Sequence, residues 1–274
     1  MSLIETKMKI GVDTPFSVVH ISDTHLTYAD MRDGERKVKL AESRSRCFPY
    51  AEDVLNQASK LSKEKNIPIV HTGDLIDFVS FSNVERVKEF CDENDLFMAT
   101  GNHEFSLYLG EAKEDAEYRN QSLSLVQSAF KNDIRMSSRI INGVNFVVLD
   151  NGYYFFEEEQ FVFLRNEVKK GLPVILLMHT PLYEKNLYDV MMVQFDCAYL
   201  MGVPEKLTEC YPDDRKEQQF TDALTKEVMQ YIAEEKLIRG IISGHEHINY
   251  EGFFADRIPQ IVTACEDIRV IEFI

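Results

Sequence analysis

Short, continuous apolar runs rich in valine and isoleucine alternate along this chain with longer amphipathic segments. A run of this kind is typical of a strand that is buried on both faces. Strand–helix alternation in turn indicates an α/β fold in which helices cover the sheets. The predicted strands cover residues 16–21, 67–71, 96–99, 144–149, 174–178, 237–242, 260–263 and 268–274. The predicted helices cover residues 51–64, 84–93, 116–130, 157–169 and 214–235.

The last predicted helix, 214–235, carries a clear amphipathic pattern. Its apolar residues recur at spacings of three and four, which predicts a single buried stripe along one continuous helix. The residues of this stripe are Phe220, Leu224, Val228, Tyr231 and Ile232.

Two segments, 27–49 and 183–212, follow neither the strand nor the helix pattern. We therefore predict long loops there, and loops of this length inside a compact domain are usually functional or disordered. A chain of 274 residues has the length of one domain with a sizeable core. The sequence thus predicts one domain over residues 1–274, with 27–49 and 183–212 as candidate substrate-recognition insertions.

The charge and hydropathy of the chain restrict its partners. A formal net charge of −16 argues against an extended nucleic-acid partner, because such binding needs clustered lysine and arginine. The charge does not exclude a small anionic substrate, since bound metal ions can reverse the local field. No apolar run approaches the roughly 18 residues that a bilayer span needs, so no membrane partner is expected. The oligomeric state stays open.

The five cysteines are scattered, and none forms a C-x-x-C pair. This spacing indicates neither a disulfide framework nor a cysteine-type zinc site, and reduced thiols are expected. The first residues mix charges with short apolar pieces and contain no continuous apolar region, so no signal peptide is predicted. Together these features favour a cytoplasmic location.

Side chains that can bind metal ions follow directly after five of the predicted strands. In an open α/β sheet, ligands bind at the strand ends, so residues far apart in sequence can converge there. The mixture of nitrogen and oxygen donors suits manganese, iron, zinc or cobalt better than magnesium or calcium. The five motifs are Asp23-Thr24-His25, Gly73-Asp74, Gly101-Asn102-His103-Glu104, His179-Thr180-Pro181 and Gly244-His245-Glu246-His247.

Local geometry supports two of these motifs. Asp23 and His25 alternate at the end of a predicted strand, and alternate residues of an extended segment point to the same side. Gly73 permits the sharp turn that exposes Asp74. Each motif alone is a weak signal, since an Asp-x-His pair is more often a capping aspartate beside a surface histidine. All five motifs in this order are far more specific.

This set resembles the pattern of the calcineurin-like metallophosphoesterase superfamily: D-x-H, G-D, G-N-H-[D/E], H-x-P and G-H-x-H. The resemblance extends from Asp23 to His247, and no ligand position of the pattern is missing. It implies an α/β fold with four layers, an α/β/β/α sandwich of two mixed β-sheets flanked by helices. It also implies two divalent or mixed-valence transition-metal ions, which would be manganese, iron or zinc.

The same resemblance implies a role for each candidate site residue. One ion would be bound by Asp23, His25 and His247. The other ion would be bound by Asn102, His179 and His245. Asp74 is expected to bridge both ions and to be a catalytic residue together with His103, which would act without being a ligand. Asn102 and His103 are also expected to contact the substrate phosphate.

The implied activity is hydrolysis of a phosphomonoester or phosphodiester, with a small molecule or nucleotide as substrate. A hydroxide that bridges two cations would attack phosphorus, and the cations would neutralise charge that moves in the transition state. His103 would stabilise that charge or protonate the leaving oxygen, which suits an imidazole near neutral pH.

A protein phosphatase or a nuclease on the same core is the alternative. The segment from Gly73 to Val79 lacks the arginine that follows the second aspartate in serine/threonine protein phosphatases. Asp77 stands where purple acid phosphatases have a tyrosine ligand. The negative charge disfavours a nuclease, and the complete ligand set disfavours a non-catalytic scaffold.

Substrate specificity is predicted to come from the two insertions, because metal ions recognise any phosphate. The candidate contacts for anionic groups are Arg32, Arg36, Arg44 and Arg46. The candidate flat apolar contacts are Tyr188, Phe195 and Tyr199. The alternatives are a solvated basic face for the arginines and ordinary core packing for the aromatic residues.

The sequence does not assign a single role to four further polar residues. Asp77 could orient a ligand histidine or cap a helix, and Glu104 is similarly open. His20 and His71 lie inside predicted strands, where a hydrogen-bonded core histidine is favoured over a metal ligand.

Overall fold

The computed structural model describes residues 1–109 and 115–274, and within them strands alternate with helices. The strands are β1 (Leu3–Met8), β2 (Phe16–Ile21), β3 (Ile69–His71), β4 (Leu96–Met98), β5 (Met136–Ile141), β6 (Val144–Leu149), β7 (Val174–Leu177), β8 (Ile238–Ser243), β9 (Tyr250–Phe254), β10 (Ile258–Val262) and β11 (Ile268–Phe273). The α-helices are α1 (Glu35–Arg44), α2 (Ala51–Lys65), α3 (Phe81–Glu93), α4 (Ala116–Gln127), α5 (Glu158–Val168), α6 (Lys185–Phe195), α7 (Glu205–Thr208), α8 (Asp213–Gln218) and α9 (Ala223–Glu234). No helix in the described ranges is long and apolar enough to cross a membrane.

Across the described residues, the strands form two mixed sheets. One has five strands in the order β1-β11-β2-β3-β4, and the other has six in the order β5-β6-β7-β8-β10-β9. Strands β2, β3 and β4 run parallel in the first sheet, and β6, β7, β8 and β10 run parallel in the second. The five candidate metal-binding motifs therefore follow the carboxyl ends of parallel strands, where ligand sites of α/β sheets form.

The two sheets face each other across an apolar core. Successive residues of a strand point to opposite faces, and the side chains of β6 separate accordingly. Phe146 and Val148 pack between the sheets, whereas Val147 and Leu149 pack against the helices of the outer layer. Both faces of such a strand are buried, which explains why every residue of β6 except Asn145 is apolar.

Helices cover the outer face of each sheet. The five-stranded sheet packs against α2 and α3 through residues such as Val54 and Val87. The six-stranded sheet packs against α5 and α9 through residues such as Leu164 and Val228. The predicted α/β/β/α arrangement of two mixed sheets flanked by helices is thereby confirmed.

Three strands, β1, β5 and β9, were not predicted. They form outer edges of the two sheets. Strand β1 is only partly buried and carries charged residues such as Glu5 and Lys7, which is a usual pattern for an edge strand. Strand β5 has no fully buried residue. Edge strands of this kind lack the continuous apolar run on which the prediction depends.

The prediction of one continuous helix over 214–235 was wrong. The segment forms two helices, α8 and α9, which are separated at residues 219–222. The Asp222 side chain accepts a hydrogen bond from the Thr225 backbone N–H, which caps a new helix at this point. Val228 and Ile232 are buried as predicted, but Phe220 lies outside both helices and is 60% exposed.

The prediction of long loops at 27–49 and 183–212 was also wrong. The first segment contains a short 3₁₀ helix, Met31–Asp33, followed by α1, and the second contains α6 and α7. Helix α1 buries only Ala41 completely, so its sequence shows little apolar periodicity. Helix α6 begins where the Glu184 carboxylate accepts hydrogen bonds from two backbone N–H groups of its first turn.

Candidate metal centre

The two sheets contribute side chains to one cluster at their shared edge. Asp23 and His25 follow β2, Asp74 follows β3, and Asn102 and His103 follow β4 in the five-stranded sheet. The six-stranded sheet adds side chains after β7 and β8, namely His179, His245 and His247. All eight candidate residues from the five motifs therefore meet in one place, and the ionisable residues among them form overlapping groups that could hold metal ions.

The backbone at these positions is left-handed rather than extended. Positive φ angles between 50° and 68° occur at five candidate ligands, Asp23, His25, Asp74, His245 and His247. The alternation argument used for Asp23 and His25 was therefore wrong in mechanism, although the two side chains do converge. A non-glycine residue in this region costs about 1–3 kcal/mol and persists only where its surroundings determine it. Two backbone hydrogen bonds between the loops after β2 and β3 determine this conformation. Asp23 N–H donates to Gly73 O at 2.9 Å, and His25 N–H donates to Asp74 O at 2.9 Å.

Glycines allow the loops to approach this closely. A Cβ atom at Gly101 would overlap the Asp74 carboxylate, and one at Gly244 would overlap Ser22 and the Asp23 carboxylate. Both positions therefore exclude a side chain for steric reasons. The glycines of the G-N-H and G-H-x-H motifs serve the close approach of the strand-end loops.

The first candidate ligand group consists of Asp23, His25, Asp74 and His247. The Nε2 atoms of His25 and His247 are 3.2 Å apart. Asp23 Oδ1 lies 3.4 Å from His247 Nε2 and 4.0 Å from His25 Nε2, and Asp74 Oδ2 lies 3.8 Å from His25 Nε2. Ligands at about 2.0–2.3 Å from a metal ion are themselves about 3 Å or slightly more apart. These distances fit donors around one cation.

The second candidate group consists of Asp74, Asn102, His179 and His245. Asp74 Oδ2 lies 3.2 Å from His179 Nε2, and His245 Nδ1 lies 3.0 Å from the same nitrogen. Asn102 Oδ1 is buried and has no hydrogen-bond partner among the described residues, and the same is true of Asp23 Oδ1 in the first group. Buried polar atoms nearly always have a partner, and a cation in each group would supply one.

The carboxylate of Asp74 belongs to both groups. Its Oδ1 accepts a hydrogen bond from the His103 backbone N–H at 2.8 Å, which leaves Oδ2 between His25 Nε2 and His179 Nε2. Asp23 is held similarly, because its Oδ2 accepts the His245 N–H at 2.8 Å and its Oδ1 faces the first group. Backbone donors thus aim one oxygen of each carboxylate into the site.

Asp77 lies behind the first group, and of its two predicted roles the structure favours orientation of a histidine. Its Oδ1 is 3.0 Å from His25 Nδ1 and 3.3 Å from His103 Nδ1, and its backbone oxygen is 2.8 Å from the same His103 nitrogen. Arg44 in turn donates two hydrogen bonds to the Asp77 carboxylate, at 2.7 and 2.9 Å. Partners of this kind fix the ring orientation of ligand histidines.

Tyr154 performs the corresponding task in the second group. Its hydroxyl lies 2.6 Å from His245 Nε2, which leaves His245 Nδ1 to face the cluster. On the other candidate histidine of this group, Nδ1 of His179 lies 2.7 Å from the Thr72 backbone oxygen. Each histidine of the group thus has one nitrogen held and the other directed inward.

Glu104 is a buried carboxylate that joins two strand-end loops. It accepts hydrogen bonds from the backbone N–H groups of Asp74, Leu75 and Gly101, at 2.6–2.7 Å. Burial, together with the nearby Asp74 charge, raises the pKa of Glu104 to about 7. Its position after β4 lets one side chain hold the loop that carries Asp74 against the loop that carries Asn102.

The charges in the cluster are strongly coupled. Burial lowers the pKa of His103 and of His179, but Asp74 and neighbouring carboxylates outweigh burial and raise these pKa values to about 9 and about 10. Burial raises the pKa of Asp23, but His179 and His247 outweigh it and hold that pKa below its usual value. A cation that binds here would displace protons from the ligand histidines.

The cluster opens into a cleft of about 1030 Å³. The metal-facing end of the cleft is lined by Asp74, Asn102, His103, His245 and His247. Aromatic side chains line its walls, namely Tyr153, Tyr154, Phe155, Tyr199 and Phe220. The remaining charged residues of the lining are Asp115, Asp214, Arg215, Glu217 and Asp222.

The candidate substrate contacts of the insertions differ in position. Of these, Tyr199 lines the cleft, and its ring lies 6.1 Å from that of His245. Arg44 donates hydrogen bonds to Asp77, which lies behind the cluster of candidate ligands. Tyr188 is buried and donates a hydrogen bond to Leu207 O, while Phe195 is half exposed at the end of α6.

The other three arginines lie on the surface around α1. Arg32 is exposed and pairs with Asp30 and Glu85. Arg36 lies over the Tyr108 ring at 3.9 Å, and Arg46 is exposed just beyond α1. Among the described residues that line the cleft, none of these three is present.

Sequence reasoning missed several residues of the cleft. Tyr154 and Phe155 belong to an aromatic run that follows β6, so the strand-end rule could have found them. Arg215 and Phe220 had no such signal, because they were assigned to a continuous helix. His20, as predicted, is a buried core histidine, with ring nitrogens 2.8 Å from the hydroxyls of Thr72 and Thr263.

The fold and the strand-end cluster agree with the class of metallophosphoesterases. The family model of the calcineurin-like phosphoesterases matches residues 16–249. The chain therefore belongs to the calcineurin-like phosphoesterase family. No curated protein matches the sequence significantly.

Solved structures share the fold at low sequence identity. A dimetal phosphatase from Danio rerio is 15% identical with a TM-score of 0.51, and the match covers 91% of this chain and 88% of that one. A candidate 5'-nucleotidase from Staphylococcus aureus is 15% identical with a TM-score of 0.50, and the match covers 94% of this chain but 51% of the other. At this identity the likeness concerns the fold alone.

Proposed function

We propose that this protein hydrolyses a phosphomonoester or phosphodiester of a small molecule or nucleotide with two transition-metal ions. The observation that carries the proposal is the position of Asp74 Oδ2, which lies between His25 Nε2 and His179 Nε2 at 3.8 and 3.2 Å. One carboxylate oxygen shared by two donor groups is the arrangement that a dinuclear centre needs.

The donor set fits manganese, iron or zinc. Imidazole nitrogens from His25, His179, His245 and His247 combine with carboxylate and amide oxygens, a mixture that suits these ions. The partnerless oxygens of Asp23 and Asn102 are the positions where a cation would complete the contacts. When bound, two such ions supply a water activated for attack on phosphorus and positive charge for the phosphate oxygens.

The residues of the chain would position the reaction. His103 Nδ1 lies 2.8 Å from Asp77 O, so its other nitrogen, Nε2, is the one that can donate to a phosphate or leaving-group oxygen in the cleft. Asn102 lies on the same wall and can contact the phosphate with its amide N–H. The carboxylates of Asp74 and Asp23 stay oriented towards the site because one oxygen of each accepts a hydrogen bond from a backbone N–H group.

A small substrate agrees best with the cleft and with the charge of the chain. A cleft of about 1030 Å³ has the size of a small-molecule pocket. Phe155, Tyr199 and Phe220 offer flat apolar surface for a nucleobase or another aromatic leaving group. We also propose one domain and a cytoplasmic location, which agrees with five free cysteines.

The test measures metal content and activity together. Protein purified without chelator should carry up to two transition ions per chain and should hydrolyse members of a panel of phosphomonoesters, cyclic nucleotides and other diesters. Asp74→Asn should lose both ions together with activity, whereas Asp53→Asn, on the exposed face of α2, should keep both. The panel also contains a phosphopeptide and single-stranded DNA. A preference for either of these, or full activity after removal of the ions, would overturn the proposal.

A further inference from the structure

A second cavity of about 330 Å³ lies beside the catalytic cleft. Gly202 to Glu205 and Thr208, which include both ends of α7, form one side of it. Residues from the end of α8 and from α9 form the other side. Phe220 lines both the cavity and the cleft, so the segment between α8 and α9 separates the two spaces.

Two buried polar side chains line this cavity without a hydrogen-bond partner in the described residues. Gln219 is 3% exposed, and neither its Oε1 nor its Nε2 makes a hydrogen bond there. The Cys197 thiol interacts with the Gln219 side chain, but a thiol is a weak partner. Thr221 is 8% exposed, and its hydroxyl likewise has no hydrogen-bond partner within residues 1–109 and 115–274. Buried polar groups need partners, and because both residues line the cavity, an occupant could supply these partners if either side chain turned towards it.

The cavity is locally cationic in a strongly acidic protein. Its charged lining residues are Lys216, Lys226 and Glu205. Lys226 Nζ lies 3.5 Å from Glu205 Oε1, and Lys216 Nζ lies 3.3 Å from the exposed Asp213. These contacts are long and solvent-exposed, and such pairs are weak. The ammonium groups can therefore turn to an anion that enters between them.

The remaining lining is apolar. Val203 and Pro204 contribute apolar surface on the side of residues 202–208, and Met229 contributes apolar surface from α9. An occupant of this cavity must therefore combine an anionic head with a short apolar body. The volume of about 330 Å³ is at the lower end of the range for small-molecule pockets.

We propose that this cavity is a second ligand site, separate from the catalytic cleft, that binds a small organic anion with a short aliphatic chain. Lys216 and Lys226 attract its head group, Gln219 and Thr221 turn their buried polar groups towards it as hydrogen-bond partners, and Met229 contacts the chain. The site does not depend on the metal centre, because none of these residues belongs to the cluster or lines the cleft.

The test observes the Met229 methyl group by NMR in the metal-loaded protein, with the signal assigned through Met229→Leu. Butyrate serves as the probe, and butyramide and n-butylammonium serve as neutral and cationic controls of the same length. Butyrate should shift the Met229 signal with saturation, and Met98 in the five-stranded sheet should not respond. Propylphosphonate distinguishes a phosphonate from a carboxylate head group, and saturation by either agrees with the proposal.

Variants assign the shift to this cavity. The double variant Lys216→Gln/Lys226→Gln should weaken butyrate binding about tenfold or more, and Gln219→Leu and Thr221→Val should each weaken it severalfold. Metal content and phosphoesterase activity serve as separate readouts, so a failure of the proposed function does not decide this test. The proposal is overturned if neither butyrate nor propylphosphonate shifts the Met229 signal, which would assign the cavity to ordered water. Equal shifts with butyramide or n-butylammonium, or unchanged binding in the double variant, would also overturn it.

Discussion

The contact between Arg44 and Asp77 gives the sharpest test of how the insertion 27–49 acts. Arg44 donates two hydrogen bonds to a carboxylate that is completely buried and that also lies 3.0 Å from His25 Nδ1. Replacing Arg44 with glutamine removes the charge and both bonds. The remaining Asp77 carboxylate then has two imidazoles as neighbours and no permanent cation.

The expected loss is about thirtyfold in the affinity for the first metal ion. A hydrogen bond to a charged group contributes roughly 1.5–3 kcal/mol. The Arg44 side chain is 26% exposed, and solvent weakens its interactions. The combined free-energy contribution of the two hydrogen bonds is therefore about 2 kcal/mol. Each 1.4 kcal/mol corresponds to a factor of ten in affinity. Mutation of a residue that hydrogen-bonds to a ligand histidine typically lowers metal affinity or activity about 10–100-fold. Arg44→Lys, which keeps the charge but not the paired geometry, should lie between wild type and Arg44→Gln.

The assay compares metal affinity with the kinetics of a small chromogenic ester and of a larger natural one. If Arg44 positions His25, Arg44→Gln should lower kcat/KM equally for both esters, and saturating metal should restore part of the loss. Lys39→Gln, an exposed substitution on the same helix, should have no effect. An unchanged metal affinity with a higher KM for the larger ester alone would refute this reasoning and would restore the predicted substrate contact.

Three further predictions concern the cluster and the core. Tyr154→Phe removes the hydroxyl that lies 2.6 Å from His245 Nε2. In a metal titration the second ion should then bind about tenfold more weakly, while the first is nearly unaffected. Equal weakening of both ions would contradict this assignment. His103→Ala should lower kcat about 10²–10⁴-fold with metal content unchanged, and a parallel loss of metal would show that His103 is a ligand. Phe146→Ala opens a cavity between the sheets and should cost about 3–5 kcal/mol in urea unfolding, and a cost below about 1 kcal/mol would mean that the core relaxes around it.

The strand-end motifs were the part of the site that the sequence could predict. A continuous apolar run identifies a buried strand, and the residue after it must lie at the sheet edge, so Asp23, Asp74 and His179 could be placed without a structure. The backbone that aims these side chains could not be derived in this way. The positive φ angles of Asp23 and Asp74 depend on hydrogen bonds between loops that are distant in sequence.

Residues that act through another residue were the hardest to predict. Arg44 was interpreted as a phosphate contact because it lies in a basic segment after His25, but its partner Asp77 is 33 positions away. Tyr154 contacts His245 from a turn after β6, and no local pattern pairs the two. The break between α8 and α9 was missed because apolar spacing continued through Phe220, while the capping role of Asp222 ends that continuity.

The division of the candidate ligands between the sheets has a mechanical consequence. Asp23, His25, Asp74 and Asn102 extend from the five-stranded sheet, and His179, His245 and His247 extend from the six-stranded sheet. A cation in either group would cross-link the two halves of the sandwich at one rim, in addition to the apolar core between them. A ligand at about one hundred times its dissociation constant stabilises a fold by about 2.7 kcal/mol. The melting temperature in different metal salts would therefore rank the ions by their affinity for this cluster. The ranking requires no knowledge of the substrate.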